Sequence, residues 1–313
     1  MSTLNHSTFG TPAARPGTLP GTRRLSGPYW VAARMHRNTL QGAAGLLALA
    51  VVLLIAIRIW GGGIAGHYWT DARLVEHAAA VIQLLPYLIA AFVAGPVVGR
   101  ELESGSHQLL WTQSVSPVRW FAVKLAVPTA LAVAGSVVLS GVYRWVWTVR
   151  PHENPELHWY SSGVYDTIGP IGVATALLAV PLGALTGLLL RRTVAAMVVG
   201  VVATAVVASV VESLSTRIWP VRTIYTSLAE GYPAADGLFV GEGAVTTSGA
   251  HVADPICVDD RKCQAAHHLV GYYRSSHPVS DFWPLQLVET GILLALAAVV
   301  TVVVFRLVRR MSV

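Results

Sequence analysis

Cys257-Val-Asp-Asp-Arg-Lys-Cys263, with His251, His267 and His268 nearby, is the densest collection of sulfur and imidazole in this 313-residue chain. Two cysteines at that spacing offer two chemistries: a disulfide closing a small loop, or a pair of thiolate ligands for a metal. No CxxC or HxxxH spacing accompanies them, which favours the disulfide and places the segment on the oxidising side of a membrane. Catalytic patterns are missing elsewhere. The chain has no GxxxxGK[ST] phosphate loop and no HExxH, and its apolar stretches hold neither paired aspartates nor a nucleophile with a base. His152, His158, His251, His267, His268 and His277 read as surface residues rather than ligands or bases. The chain reads as no enzyme in itself, with no catalytic residue, bound cofactor or metal of its own.

Such residues need elements to hold them, and the composition says which kind. Only 12% of residues are charged, 54% are hydrophobic and mean hydropathy is +0.56. Soluble domains carry about 25% charged residues, so this chain cannot cover a water-facing surface. It is a membrane protein. The same figures exclude a disordered chain, a disulfide-rich scaffold and a nucleic-acid binder whose net charge of +6 forms one patch.

A spanning helix needs about 20 apolar residues, and six stretches qualify: 40–60, 78–98, 121–147, 170–190, 193–211 and 285–305. The fourth and fifth are separated only by Arg191-Arg192 and form a tight helical hairpin. The alternation of a lipid-facing barrel is absent. With both termini in the cytoplasm, 13 of the 22 Lys and Arg residues fall on cytoplasmic flanks, and only Glu101 and Glu103 among the 16 acidic residues do. This orientation implies a multi-pass protein of the plasma membrane. Residues 1–27 are rich in Gly, Pro, Ser, Thr and Arg and read as a disordered tail. Residues 28–39 read as an interfacial helix opened by Pro28, or simply as a basic flank that orients span one. Residues 40–211 hold the first five spans, 212–284 form an outer loop domain, and 285–313 hold the last span and a cytoplasmic end. Within the loop domain, Gln264–Arg274 reads as one or two helical turns, and Asp281-Phe282-Trp283-Pro284 as an interfacial anchor opening span six.

No Asp, Glu, Lys, Arg or His lies near the middle of any span, and Gln83 is the strongly polar mid-span side chain. Ion-coupled transporters bind their driving ion on intramembrane ionisable groups. A transport role would therefore draw its energy from a partner subunit.

The internal cytoplasmic segment, residues 99–120, carries the most information. Arg100, Glu101 and Glu103 end span two, and Gly105-Ser106 breaks that helix and can cap another. Trp111-Thr112-Gln113-Ser114 follows, and Arg119, Trp120 and Lys124 form a collar at the entry to span three. Physically this is either a short helix held beneath the membrane by two spans, able to relay a push, or an ordinary loop with charges at the membrane edge.

These motifs resemble the coupling region of the ABC-2 type transporter permeases, most closely the actinobacterial branch described simply as ABC transporter permeases. That branch commonly has Gly-Thr where this chain has Gly105-Ser106. Phe282-Trp283-Pro284-Leu285-Gln286, with Glu289-Thr290 after it, also resembles that group, and the layout agrees across nearly the whole chain. The resemblance implies an all-α membrane protein with six transmembrane helices, type V exporter-like, carrying an N-terminal interfacial helix and a small outer domain between spans five and six. It implies a partner ATPase subunit that binds ATP and Mg, a second permease copy or paralogue, and a membrane lipid surround. The segment holding Arg100, Glu101, Glu103, Gly105, Ser106, Trp111, Thr112, Gln113, Ser114, Arg119 and Lys124 would dock on that ATPase. Export of a hydrophobic or amphipathic compound, multidrug resistance included, is the implied activity. A non-transport sensor, anchor or resistance component built on the same fold is the alternative.

Span five carries Ala196, Gly200, Thr204 and Ala208 at four-residue spacing. Small residues let helix backbones approach in lipid. Because spans one and five commonly meet across the dimer axis in the resembled family, the stripe is assigned to the subunit contact. Packing within the subunit is the competing reading, and Gly183-x-x-x-Gly187 in span four is the rival contact, with Pro181 pointing to a kink instead.

Overall fold

The structure is a computed structural model and describes residues 37–60, 68–104, 116–148, 157–161, 163–234, 237–257 and 260–311. Among them six helices are long and apolar enough to cross a membrane: Gln41–Ile59, Arg73–Glu103, Pro117–Trp147, Ile171–Leu190, Thr193–Leu214 and Val279–Met311, here spans one to six. Most of residues 28–39 lies outside the described residues. Residues 37–39 open the continuous helix Arg37–Trp60 that becomes span one.

Local chemistry sets the helix ends. Ser116 caps span three, its Oγ accepting the Arg119 N–H at 3.4 Å, and Pro117 occupies the first helical turn. Span four stops where Arg191 turns left-handed at φ 51°, and span five starts two residues later at Thr193. The Arg191-Arg192 turn and residues 104 and 116 share one end of the bundle, called the turn end below.

Span four is the axle of the bundle, with fourteen buried residues between Ile171 and Leu188. Its glycines explain how neighbours come so close. A Cβ at Gly183 would lie 2.7 Å from Ala94 Cβ and 2.9 Å from the Ala90 carbonyl oxygen, and one at Gly187 would lie 3.1 Å from the Gly95 carbonyl oxygen. The Gly183-x-x-x-Gly187 pair is thus a crossing of spans four and two inside the subunit.

Span two is not straight. Pro86 sits in the short helix Leu85–Leu88, and a π-helical turn, Ile89–Ala94, follows before the helix Gly95–Glu103. Proline and a π turn both interrupt the regular i→i−4 ladder.

Opposite the turn end, the segment between spans five and six folds into a four-stranded antiparallel sheet. Its strands are β1 Arg222–Ser227, β2 Leu238–Thr246, β3 His251–Val252 and β4 Leu269–His277, in the order β1-β4-β2-β3. The helical turn expected across Gln264–Arg274 is shifted: the helix is Arg261–Ala266, capped by Asp260, and the chain is a strand from Leu269 onward. Strand pairing wins there because β4 has two partners, β1 and β2, both distant in sequence. Cys257 and Cys263 are joined in a disulfide beneath β4, in a small core with Ala244, Leu269 and Tyr272.

Candidate functional site

Among the described residues, two regions of the helical bundle bring polar groups together. At the turn end, the two glutamates that close span two each reach a different neighbour. Glu101 pairs with Lys124 of span three, whose Nζ also lies 4.6 Å from the centre of the Trp120 ring. Glu103 Oε2 accepts the Thr193 backbone N–H at 2.9 Å and the Thr193 hydroxyl at 2.6 Å, and so caps span five. Arg100 and Arg119 are exposed. The base of the 105–115 connection is thereby fastened to spans two, three and five. Gly105, Ser106, Trp111, Thr112, Gln113 and Ser114 lie outside the described residues.

Most of the stripe on span five packs against its own subunit. Ala196 and Thr204 are fully buried, and Gly200 is buried beside Thr186 Oγ1 and Gly183 Cα, at 3.3 and 3.6 Å from where its Cβ would stand. The Thr186 hydroxyl donates to the Ala196 carbonyl oxygen at 3.2 Å. Ala196, Gly200 and Thr204 therefore face span four and the bend of span two, and Ala208 lines the cavity described below. Ala196, Gly200 and Thr204 are thus packed inside the subunit, while Ala208 is half-buried. The exposed face of span five carries Val194, Val198, Val202, Val206 and Val210 instead.

The second region is a cavity of about 440 Å³ in the half of the bundle nearest the sheet. Spans two to six all contribute to its wall, and Leu238 of β2 and Tyr160 close it from the sheet side. Three carboxyl groups line it: Glu289, 3% exposed, Asp166, part-buried, and Glu212, exposed at the rim. The short helix Val164–Ile168 presents Asp166, whose Oδ2 accepts the Gln83 side-chain N–H at 2.5 Å. Burial, reinforced by the charge of Glu212, pushes the Asp166 carboxyl up to about 7, although the Gln83 bond acts the other way. Burial likewise raises the Tyr165 phenol, with help from Glu289, Asp166 and Glu212. Ser136 also lines the cavity; it is 3% exposed and its Oγ has no hydrogen-bond partner.

A rigid shell holds this wall. Gln286 is fully buried, donates to the Tyr165 carbonyl oxygen at 2.7 Å, and packs its amide where a side chain on Gly169 would stand. Arg144 donates to the Ile168 carbonyl oxygen at 2.8 Å and sits 5.1 Å from the Trp283 ring centre. Trp159, Tyr165 and Phe282 pack edge-on and tilted around this corner.

Sequence reasoning singled out Gln83 but passed over its partner and the acidic wall. Asp166 lies in the connection between spans three and four, which carries no motif, and Glu289 reads as part of an entry motif. One signal was present: Gln286 and Glu289 are three residues apart in an otherwise apolar helix, so they share a face.

Among the described residues, the one three-ligand group with metal-ligand spacing is Cys257, Cys263 and His267, and the disulfide already occupies both of its sulfurs. Residues 63–216, spans two to five, match the family model described as ABC-2 membrane transporter related. No curated protein and no solved structure matches the chain.

Proposed function

We propose, from the match of residues 63–216 to the family model described as ABC-2 membrane transporter related, that the chain is the permease subunit of an ATP-driven exporter. A separate nucleotide-binding subunit supplies ATP hydrolysis, since this chain has no phosphate loop. The family match carries the reading. The turn-end geometry supports it, because a push on the 105–115 connection is delivered through Glu101 to span three and through Glu103 to span five. The positive flanks support a cytoplasmic location for that end.

ATP binding favours one arrangement of the complex, and the permease follows it to the extent that the two arrangements differ in contact energy with the ATPase. The cargo is an amphipathic compound that enters a bundle whose walls are apolar apart from the cavity. A second copy of the chain completes the assembly, meeting the first through surfaces other than the buried stripe of span five.

The test is co-purification of the chain with an ATPase and measurement of hydrolysis in lipid. A stable complex whose hydrolysis rises with cargo supports the permease reading. A complex that hydrolyses ATP but moves nothing across vesicles supports the sensor or anchor role instead. No association with an ATPase overturns both.

A further inference from the structure

The cavity in the sheet-side half of the bundle is walled by acidic and aromatic groups together. Asp166, Glu212 and Glu289 line it with Tyr87 and Tyr160, and no Lys, Arg or His contributes to its lining among the described residues. Its volume, about 440 Å³, lies in the range of small-molecule sites. An independent sign of a ligand is the Ser136 hydroxyl, which lines the same space, is 97% buried at 3% exposure, and has no partner in the protein. A buried hydroxyl without a partner costs free energy that a bound polar group recovers.

We propose that this cavity binds the transported compound and that the compound is an organic cation, an ammonium or amidinium group on an apolar or aromatic body. Three carboxyl groups around one space favour positive charge and repel anions. A bare metal ion is a poor fit, because the three carboxylates do not form a group within metal-sharing distance of one another. Spread charges instead suit a cation whose charge is carried by a larger group. Aromatic walls add to this, since a tyrosine ring attracts a cation across its face. Ser136 and Gln83 supply polar contacts deeper in the wall, and Leu238 with Leu85 supplies apolar surface for the body.

The inference rests on the permease reading for the statement that the bound compound is cargo; the binding itself is tested without it. Full-length protein in nanodiscs of zwitterionic lipid is titrated with ethidium and followed by fluorescence anisotropy. Saturable binding is expected, with Glu212→Gln and Glu289→Gln each weakening it by about tenfold and the double variant by more. Ser136→Leu, at a hydroxyl with no bond to lose, should fill the site and abolish binding while the helices stay intact by circular dichroism. Dihydroethidium, nearly the same shape without the charge, should fail to displace ethidium. Equal affinity in the double carboxyl variant, or equal competition by dihydroethidium, overturns the proposal, as does the absence of saturable binding. Ethidium binding with no ATP-driven movement in any reconstituted complex would sink the permease reading and leave the site. ATP-driven movement of uncharged compounds without ethidium binding would sink the site and leave the permease reading.

Discussion

The Glu103 carboxylate holds both the N–H and the hydroxyl of Thr193, a residue 90 positions further along the chain. One side chain thus closes span two and opens span five. Glu103→Ala removes an N-terminal cap from the helix it serves. Amide exchange should accelerate in the first turn of span five and leave span six unchanged. Unaltered exchange at 193–196 would show that the cap has no hold on the helix.

Glu101 and Lys124 form the neighbouring link, and both side chains are largely covered, at 24% and 18% exposure. Breaking such a pair from one side leaves a charge without its partner. Glu101→Gln and Lys124→Met should each lower the unfolding midpoint in detergent, and the double variant should lower it by less than the sum. Additive losses would mean the two groups do not interact. On the proposed permease reading, the single variants should loosen the link between hydrolysis and transport without impairing insertion.

Alanine scanning of the glycines should separate two kinds of position. At Gly183 the new methyl meets Ala94 Cβ at 2.7 Å and a backbone oxygen at 2.9 Å, whereas at Gly200 the nearest atom is the Thr186 hydroxyl at 3.3 Å. Gly183→Ala should cost about 1–3 kcal/mol, and Gly200→Ala should be markedly milder. Disulfide trapping of a cysteine at position 200 with its copy should fail, because that position is spent inside the subunit. Efficient trapping there would restore the stripe to the subunit contact.

Asp166 should make stability depend on pH. Its carboxyl is raised from 3.8 to about 7 by burial and by Glu212, so the folded protein holds a proton that the unfolded chain gives up earlier. Stability from this group is therefore present below about pH 4 and lost as pH rises through 7. The groups facing it are Gln83, Glu212, Glu289 and Tyr165. Thermal midpoints should fall across that window, and Asp166→Asn should flatten the slope. A slope that survives the substitution would reassign it to Glu212 or Glu289.

Cys257 and Cys263 should resist alkylation until reduced, and only reagent added on the sheet side should then reach them. Because the closed loop is short, its loss should cost about 2 kcal/mol and act on the sheet more than on the spans. Labelling without reduction would contradict the bridge.

Much of this architecture was legible in the sequence, and the reason is physical. Long apolar runs have one solution in lipid, so the six spans emerge from the sequence, with ends displaced by at most six residues. What escaped is everything set by partners far apart in the chain. β4 reads as helical until β1 and β2 flank it. The spacing of Ala196, Gly200 and Thr204 marks a close helix contact without saying which helix supplies it, and span four does. The links of Glu101 to Lys124 and of Glu103 to Thr193 are hidden in the sequence because the partners belong to other helices. Asp166 and Glu289 gain their meaning only from the cavity between them.

The π turn at Ile89–Ala94 sets the phase of span two. Each residue advances a regular helix by about 100°, so an uninterrupted helix would put Gly95 and Gly99 roughly 80–160° away from the direction of Gln83 and Tyr87. A π turn absorbs one additional residue without that advance, and it brings the glycines back beneath the two cavity residues. The same edge of span two can then serve the acidic wall in one half and the contact with span five in the other. Span two behaves as two differently indexed screws on one shaft. Removing a single residue from Ile89–Ala94 would set one half against the other, which makes this the part of the chain where length matters more than identity.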